Sequence, residues 1–173
     1  MDATTMPWRA PNRFWRHAFS DDADVRRAFP AEGMTRVEHA IRDGEATHRG
    51  QVCVAVEAAL PLARVVAKVP PRERAIEVFG QLRVWDTEEN NGVLIYVLLA
   101  DRDVEIVADR GIDRAVGHAA WEAICRRMEE IFREDRHVDA VEHGVREVSA
   151  LLAQHFPGGA DDRNEIPDRP VVL

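Results

Sequence analysis

The feature that most constrains this chain is Val93-Leu94-Ile95-Tyr96-Val97-Leu98-Leu99-Ala100, eight residues without charge that follow the polar turn Asn90-Asn91-Gly92. A run of that length suits either a buried strand or a buried helical segment. Its flanks decide: Asn-Asn-Gly is poor helix, whereas Val, Ile and Tyr favour a pleated surface. Because polar residues do not alternate with apolar ones, both faces need cover, as in a central strand of an α/β sheet.

The neighbours fit around that strand. Gln51–Glu57 reads as a first strand after Gly50, and Leu60–Pro71 as a proline-punctuated connector. A helix is expected over Pro71–Leu82, with Pro71 in its first turn and Ala75, Ile76 and Phe79 as its buried stripe. Strand, helix, strand implies a crossover joining parallel neighbours. Asp101-Arg102 turns the chain back into Val104–Ala108, giving a central hairpin over about 93–108 whose returning strand alternates like an edge. Apolar residues at helical spacing predict helices over 32–43, around Trp121–Phe132 and around Val138–Phe156. The fold class is α/β.

Charge and composition narrow the function. A net charge of −8 argues against attraction to nucleic acid or an anionic membrane. No run reaches the ~18–20 apolar residues of a bilayer span, and the first residues lack an apolar leader core, so a cytoplasmic protein is expected. Cys53 and Cys125 read as buried thiols in a reducing compartment. Residues 1–30 form an aromatic arm with short helical turns at 12–18 and 22–28, in which Arg9, Arg13, Arg16 and His17 read as a solvated face. Residues 31–157 are the domain proper, and 158–173 a polar, irregular tail.

The familiar catalytic signatures are missing, including Gly-x-Ser-x-Gly, the phosphate-cradling Gly-x-x-x-x-Gly-Lys, paired Cys-x-x-Cys and Gly-x-Gly-x-x-Gly. No catalytic residue is assigned. Glu45/His48 and Glu134/His137 have the Glu-x-x-His spacing of di-metal bundles, but both read as surface pairs at helix ends. The acidic residues around the hairpin are more informative. An antiparallel hairpin brings its outer ends together, so Asp86, Glu88, Glu89 and Asn91 should meet Asp109 and Asp113. Carboxylates and amide oxygens converging there suit a hard cation, with Asp86, Asn91, Asp109 and Asp113 as the candidate ligands. The alternative is a solvated acidic rim in which Asp113 caps the next helix.

At these residues the chain resembles the TPM domain family over roughly 34–157. The resemblance is carried by Val84-Trp85-Asp86-Thr87-Glu88, Asn91-Gly92-Val93-Leu94-Ile95-Tyr96, Ala108-Asp109-Arg110-Gly111-Ile112, Trp121-Glu122 and His155-Phe156-Pro157, and by the tail Asn164–Pro170. It implies a three-layer α/β/α domain with a small mixed central sheet. It also implies divalent cation binding (Ca²⁺ or Mg²⁺) in some members and acid phosphatase activity in a plant branch. Typical members carry Asp-Asn-Gly and Gly-Leu-Glu where this chain has Asn90-Asn91-Gly92 and Gly111-Ile112-Asp113, so one charge is lost and weaker metal affinity is expected. The leading expectation is a cytoplasmic, cation-binding accessory or interaction module. The rivals are a metal-assisted phosphatase and a structural domain that binds another protein through the aromatic arm.

Overall fold

The computed structural model describes residues 12–158 and 164–173. The Trp8 end of the aromatic arm, with Arg9, and the start of the tail at 159–163 fall outside them. The elements run α1 (Arg13–Phe19), α2 (Asp22–Ala28), α3 (Ala31–Glu45), β1 (Gln51–Glu57), α4 (Leu62–Val66), α5 (Pro71–Gln81), β2 (Gly92–Leu98), β3 (Asp103–Ala108), α6 (Arg110–Val116), α7 (His118–Phe132), α8 (His137–His155) and β4 (Val171–Val172).

The sheet order is β3-β2-β1-β4. β1 pairs parallel with β2, from Gln51↔Gly92 to Glu57↔Leu98, and β2 pairs antiparallel with β3, from Val93↔Ala108 to Leu98↔Asp103. The sheet is therefore mixed, and the hairpin forms as the uncharged run requires. Every residue of β1 and β2 is buried. The pleat sends alternate side chains to opposite layers. Val52, Val54, Val93, Ile95 and Val97 pack with Ile41 of α3, Met128 of α7 and Val145 of α8. Cys53, Ala55, Leu94, Tyr96 and Leu98 pack with Val65 of α4 and with Ala75 and Val78 of α5. Three layers result. Each fully buried Leu or Ile contributes roughly 1.5–3 kcal/mol, so continuous burial of both central strands anchors the domain.

β3 is one edge of the sheet, as its alternation implies. Arg72 of α5 covers it, donating Nη1–H to Ile106 O and pairing with Glu105 at 3.3 Å. An edge capped in this way offers less template to another chain.

Four local expectations are corrected. In α5 the inward stripe is Ala75, Val78 and the half-buried Phe79, while Ile76 is 53% exposed. Ala75, Val78 and Phe79 stand at i, i+3 and i+4, and Ile76 is turned about 100° around the helix from Ala75, toward solvent. The connector contains a short helix, α4. The turn of the hairpin is longer than Asp101-Arg102: β2 ends at Leu98, a 3₁₀ turn spans Leu99–Asp101, and Arg102 takes φ 54°. The tail is not wholly irregular, since Val171 and Val172 pair parallel with Ala55 and Val56 as β4. That pairing gives the open side of β1 a backbone partner, which a buried strand needs.

Candidate functional site

Two loops abut where β2 begins and β3 ends. Asp109 donates its N–H to Gly92 O at 2.8 Å, and Ile112 donates to Asn90 O at 3.2 Å. The approach needs glycine at position 111, and the folding of the 84–92 segment on itself needs glycine at 92. A Cβ on Gly92 would stand 1.9 Å from Val84 O, and one on Gly111 would stand 2.4 Å from Asn90 O. Asn90 turns the chain with φ 56°, a left-handed conformation that Asn tolerates better than most residues.

The four expected ligands occupy different environments. Asn91 is 1% exposed and Asp109 5%. Asn91 donates Nδ2–H to Arg49 O at 3.0 Å, yet its Oδ1 is buried without a hydrogen-bond partner. Asp109 caps α6 by accepting Arg110 N–H on Oδ1 at 2.7 Å, and its Oδ2 is likewise buried and unpartnered. The cap expected at Asp113 is thus Asp109, because α6 begins at Arg110. Asp113 stands in the first turn of α6, with its N–H on Asp109 O at 2.9 Å and its Oδ1 accepting Trp121 Nε1–H at 3.1 Å. Asp86 is exposed and faces Arg83, whose Nε is 3.7 Å from its Oδ2. Backbone hydrogen bonds thus join Asp109 to Gly92, next to Asn91, and Asp113 to Asp109, while Asp86 is held apart beside Arg83.

Other residues complete the surroundings. Glu89 pairs with Arg49, and Thr87 Oγ1 accepts Asn91 N–H at 3.1 Å. Glu165 accepts the Glu88 N–H on its carboxylate at 3.3 and 3.4 Å. Gln51 Oε1 holds that part of the tail by accepting Glu165 N–H at 2.9 Å and Ile166 N–H at 3.0 Å. Among the described residues no three His, Cys, Asp or Glu side chains group as a metal set. Buried amide and carboxylate oxygens at Asn91 and Asp109 fit a hard ion such as Ca²⁺ or Mg²⁺, and not zinc.

The Glu-x-x-His pairs serve the fold. His48 is fully buried, not at the surface, because the chain passes from α3 directly into β1. Its Nδ1 lies 3.0 Å from Gly50 O, and Glu45 Oε1 accepts Val52 N–H at 2.9 Å. Glu134 pairs with Arg136 at 3.1 Å, while the ring of His137 packs edge-on against Phe29 and Phe132. Burial pushes both thiols up to about 12, with the Glu45 charge adding to the effect at Cys53. Cys53 is buried and Cys125 half-buried, and they belong to opposite layers, so they form no redox pair.

The family model of the TPM domain matches residues 23–151. The chain belongs to the TPM domain family. This TPM domain is similar to the BA42 protein of the psychrophilic bacterium Bizionia argentinensis, solved by NMR. The two are 28% identical with a TM-score of 0.74, covering 84% of this chain and 95% of that one. An N-terminal domain of a P. gingivalis protein, also solved by NMR, shares the fold at 19% identity and a TM-score of 0.54, covering 70% of this chain and 76% of that one. No curated protein matches the sequence. Among the described residues of this TPM domain, no helix is long and apolar enough to cross a membrane.

The sequence pointed to the two loops of the TPM domain but not to Gln51 or Glu165. Glu165 reaches Glu88 across 77 positions of chain, and no local pattern encodes such a pairing.

Proposed function

We propose that this TPM domain binds a hard divalent cation, Ca²⁺ or Mg²⁺, between the 86–91 and 109–113 loops, and acts in the cytoplasm as an accessory or interaction module without strong catalysis. The reading is carried by Asn91 Oδ1 and Asp109 Oδ2, two buried oxygens without hydrogen-bond partners. Leaving such an acceptor unsatisfied costs about 1–3 kcal/mol, and a cation is a partner that relieves it. Asn91 and Asp109 would hold the ion, with the second carboxylate oxygen of Asp113 close by in sequence and fold. Asp86 would join only if its loop turned inward from Arg83. A bound ion would neutralise the acidic end of the sheet.

The absence of strong catalysis is argued from the nearby arginines. Arg49 is committed to Glu89 and to Pro157 O, and Arg83 faces Asp86. A phosphoryl group would meet little free guanidinium beyond the exposed Arg110. The cytoplasmic assignment is supported by two free thiols held in separate layers.

Calorimetric titration with Ca²⁺ and Mg²⁺ tests the reading. Binding is expected on the order of 10⁻⁴–10⁻³ M, as in weak Ca²⁺ modules. Asp109→Asn should abolish it while retaining the cap, because Asn caps nearly as well as Asp. No heat at millimolar ion, or heat unchanged in Asp109→Asn, would overturn the site. Robust phosphomonoester turnover lost in the same variant would instead make the protein a metal-assisted phosphatase.

A further inference from the structure

The other end of the sheet carries a cavity of about 790 Å³, within the size range of small-molecule sites. Its floor includes Val97 and Leu99, at and just beyond the end of β2. One wall is α1, whose Trp15 and Phe19 rings stack at 5.7 Å with an interplanar angle of 16°. These two aromatics are 50% and 76% exposed, more than packing alone would leave them. The opposite wall comes from the α7–α8 connection, where Phe132 and His137 meet edge-on at 5.4 Å.

The cavity lining carries three arginines (Arg16, Arg27 and Arg102) and three aspartates (Asp24, Asp103 and Asp135), but they do not pair with one another one to one. Arg16 is paired with Asp101 at 3.4 Å and Arg27 with Asp24 at 2.7 Å. Asp103 and Asp135 also line the cavity, and among the described residues the structure gives neither an ion-pair partner. Asp103 Oδ1 is buried and lacks a hydrogen-bond donor. Among the described residues Arg102 also lines the cavity outside any ion pair, and it is exposed. Burial, and then Glu105, Glu129 and Asp101, push the Asp103 carboxyl up to about 6, with Arg13 opposing. Acids therefore dominate the charges acting on Asp103, and its Oδ1 has no donor.

We propose that this cavity binds a small organic cation, a protonated amine on an aromatic or apolar body, with the ammonium on Asp103 and the body against Trp15 and Phe19. An ammonium group supplies the donors that Asp103 lacks. The exposed ring faces attract the same charge and cover the apolar body. An anion of equal size would gain the rings and Arg102 at the exposed rim, but would meet the unpaired carboxylates of Asp103 and Asp135. This site is independent of the cation site at the far end of the sheet.

The test is calorimetric titration of the full chain with phenethylammonium, using phenylacetate and benzyl alcohol as charge controls. Phenethylammonium is expected to bind and phenylacetate not. Asp103→Asn should weaken the amine about tenfold or more, and Phe19→Ala several-fold. Asp135→Asn, at an exposed position, weakens it without risk to the core, and thermal unfolding of each variant establishes that it is folded. The proposal is overturned by three results: no heat from millimolar amine, phenylacetate binding as well as the amine, or folded Asp103→Asn and Asp135→Asn proteins with unchanged affinity.

Discussion

His17 Nε2 lies 3.1 Å from Asp101 Oδ1. The same imidazole accepts Leu60 N–H on Nδ1 at 2.9 Å, so Nδ1 carries no proton, and Nε2 lies within ion-pair distance of Asp101 without hydrogen-bond geometry. Arg13 Nε joins at 2.9 Å and Arg16 Nη2 at 3.4 Å. One carboxylate in the turn after β2 therefore fastens α1 to the domain. Arg13, Arg16 and His17 are not a solvated face: their three- and four-residue spacing aims them at a single partner.

Asp101→Ala should therefore release α1. Removing one member of a buried, multiply bonded cluster costs on the order of 3 kcal/mol, and His17, with its side chain fully buried, would lose the carboxylate beside its Nε2. The expected readout is a lower melting temperature together with faster amide exchange across 13–19. An unchanged melting temperature with protected α1 amides would show that apolar packing alone holds the helix.

Gly92 and Gly80 should respond oppositely to alanine. A Cβ at Gly92 meets the Val84 carbonyl oxygen at 1.9 Å, and one at Gly80 meets nothing within 4 Å. Gly92→Ala should cost at least ~2 kcal/mol through forced backbone movement. Gly80→Ala, inside helix α5, should gain roughly 0.5–1 kcal/mol. Urea denaturation of both variants checks the contrast, and a neutral Gly92→Ala would mean that the 84–92 loop can move aside.

Asp103 should make stability fall as pH rises. Its folded carboxyl is pushed up from 3.8 to about 6, first by burial and then by neighbouring acids. A raised folded value means that the contribution is fully present below the unfolded value and is lost as pH climbs through about 6. Discounted for its partial exposure to water, the loss is about 1 kcal/mol. Asp103→Asn should remove this fall and raise the melting temperature at pH 7.5. Parallel wild-type and variant curves between pH 4 and 8 would refute the assignment.

Gln51 should act as the clasp of the tail. Its Oε1 takes the N–H groups of Glu165 and Ile166, and Ile166 is 7% exposed in the layer below. Gln51→Ala should cost about 1 kcal/mol by removing the acceptor shared by Glu165 N–H and Ile166 N–H, the latter keeping Asn164 Oδ1 at 3.2 Å. It should also raise exchange at the β4 amides, which hydrogen exchange measures directly. Tail protection equal to wild type would shift the burden to β4 and Ile166 alone.

Much of the architecture was legible because it is written in local periodicity. The uncharged Val93–Leu98 run marks a strand buried on both faces, and the apolar stripes through Met128 and Val145 mark helices, wherever the rest of the chain lies. The same logic brought the 86–91 and 109–113 loops together, since a hairpin joins its outer ends by construction. It missed the phase of α5, where Val78 and not Ile76 faces inward, because one residue shifts a helical position by about 100°.

What only the tertiary structure decided concerns hydrogen-bonding groups that one segment leaves for another. Val171-Val172 is too short to read as a strand and becomes one because β1 has an open side. Asp109 is the α6 cap and Asp113 is not, because the helix starts where β3 releases the chain. Glu165 meets Glu88, and Asp101 collects Arg13, Arg16 and His17, across distances that no periodicity spans. Residue order sets which groups need partners. Packing alone sets which partners arrive, because burial removes the water that would otherwise satisfy them.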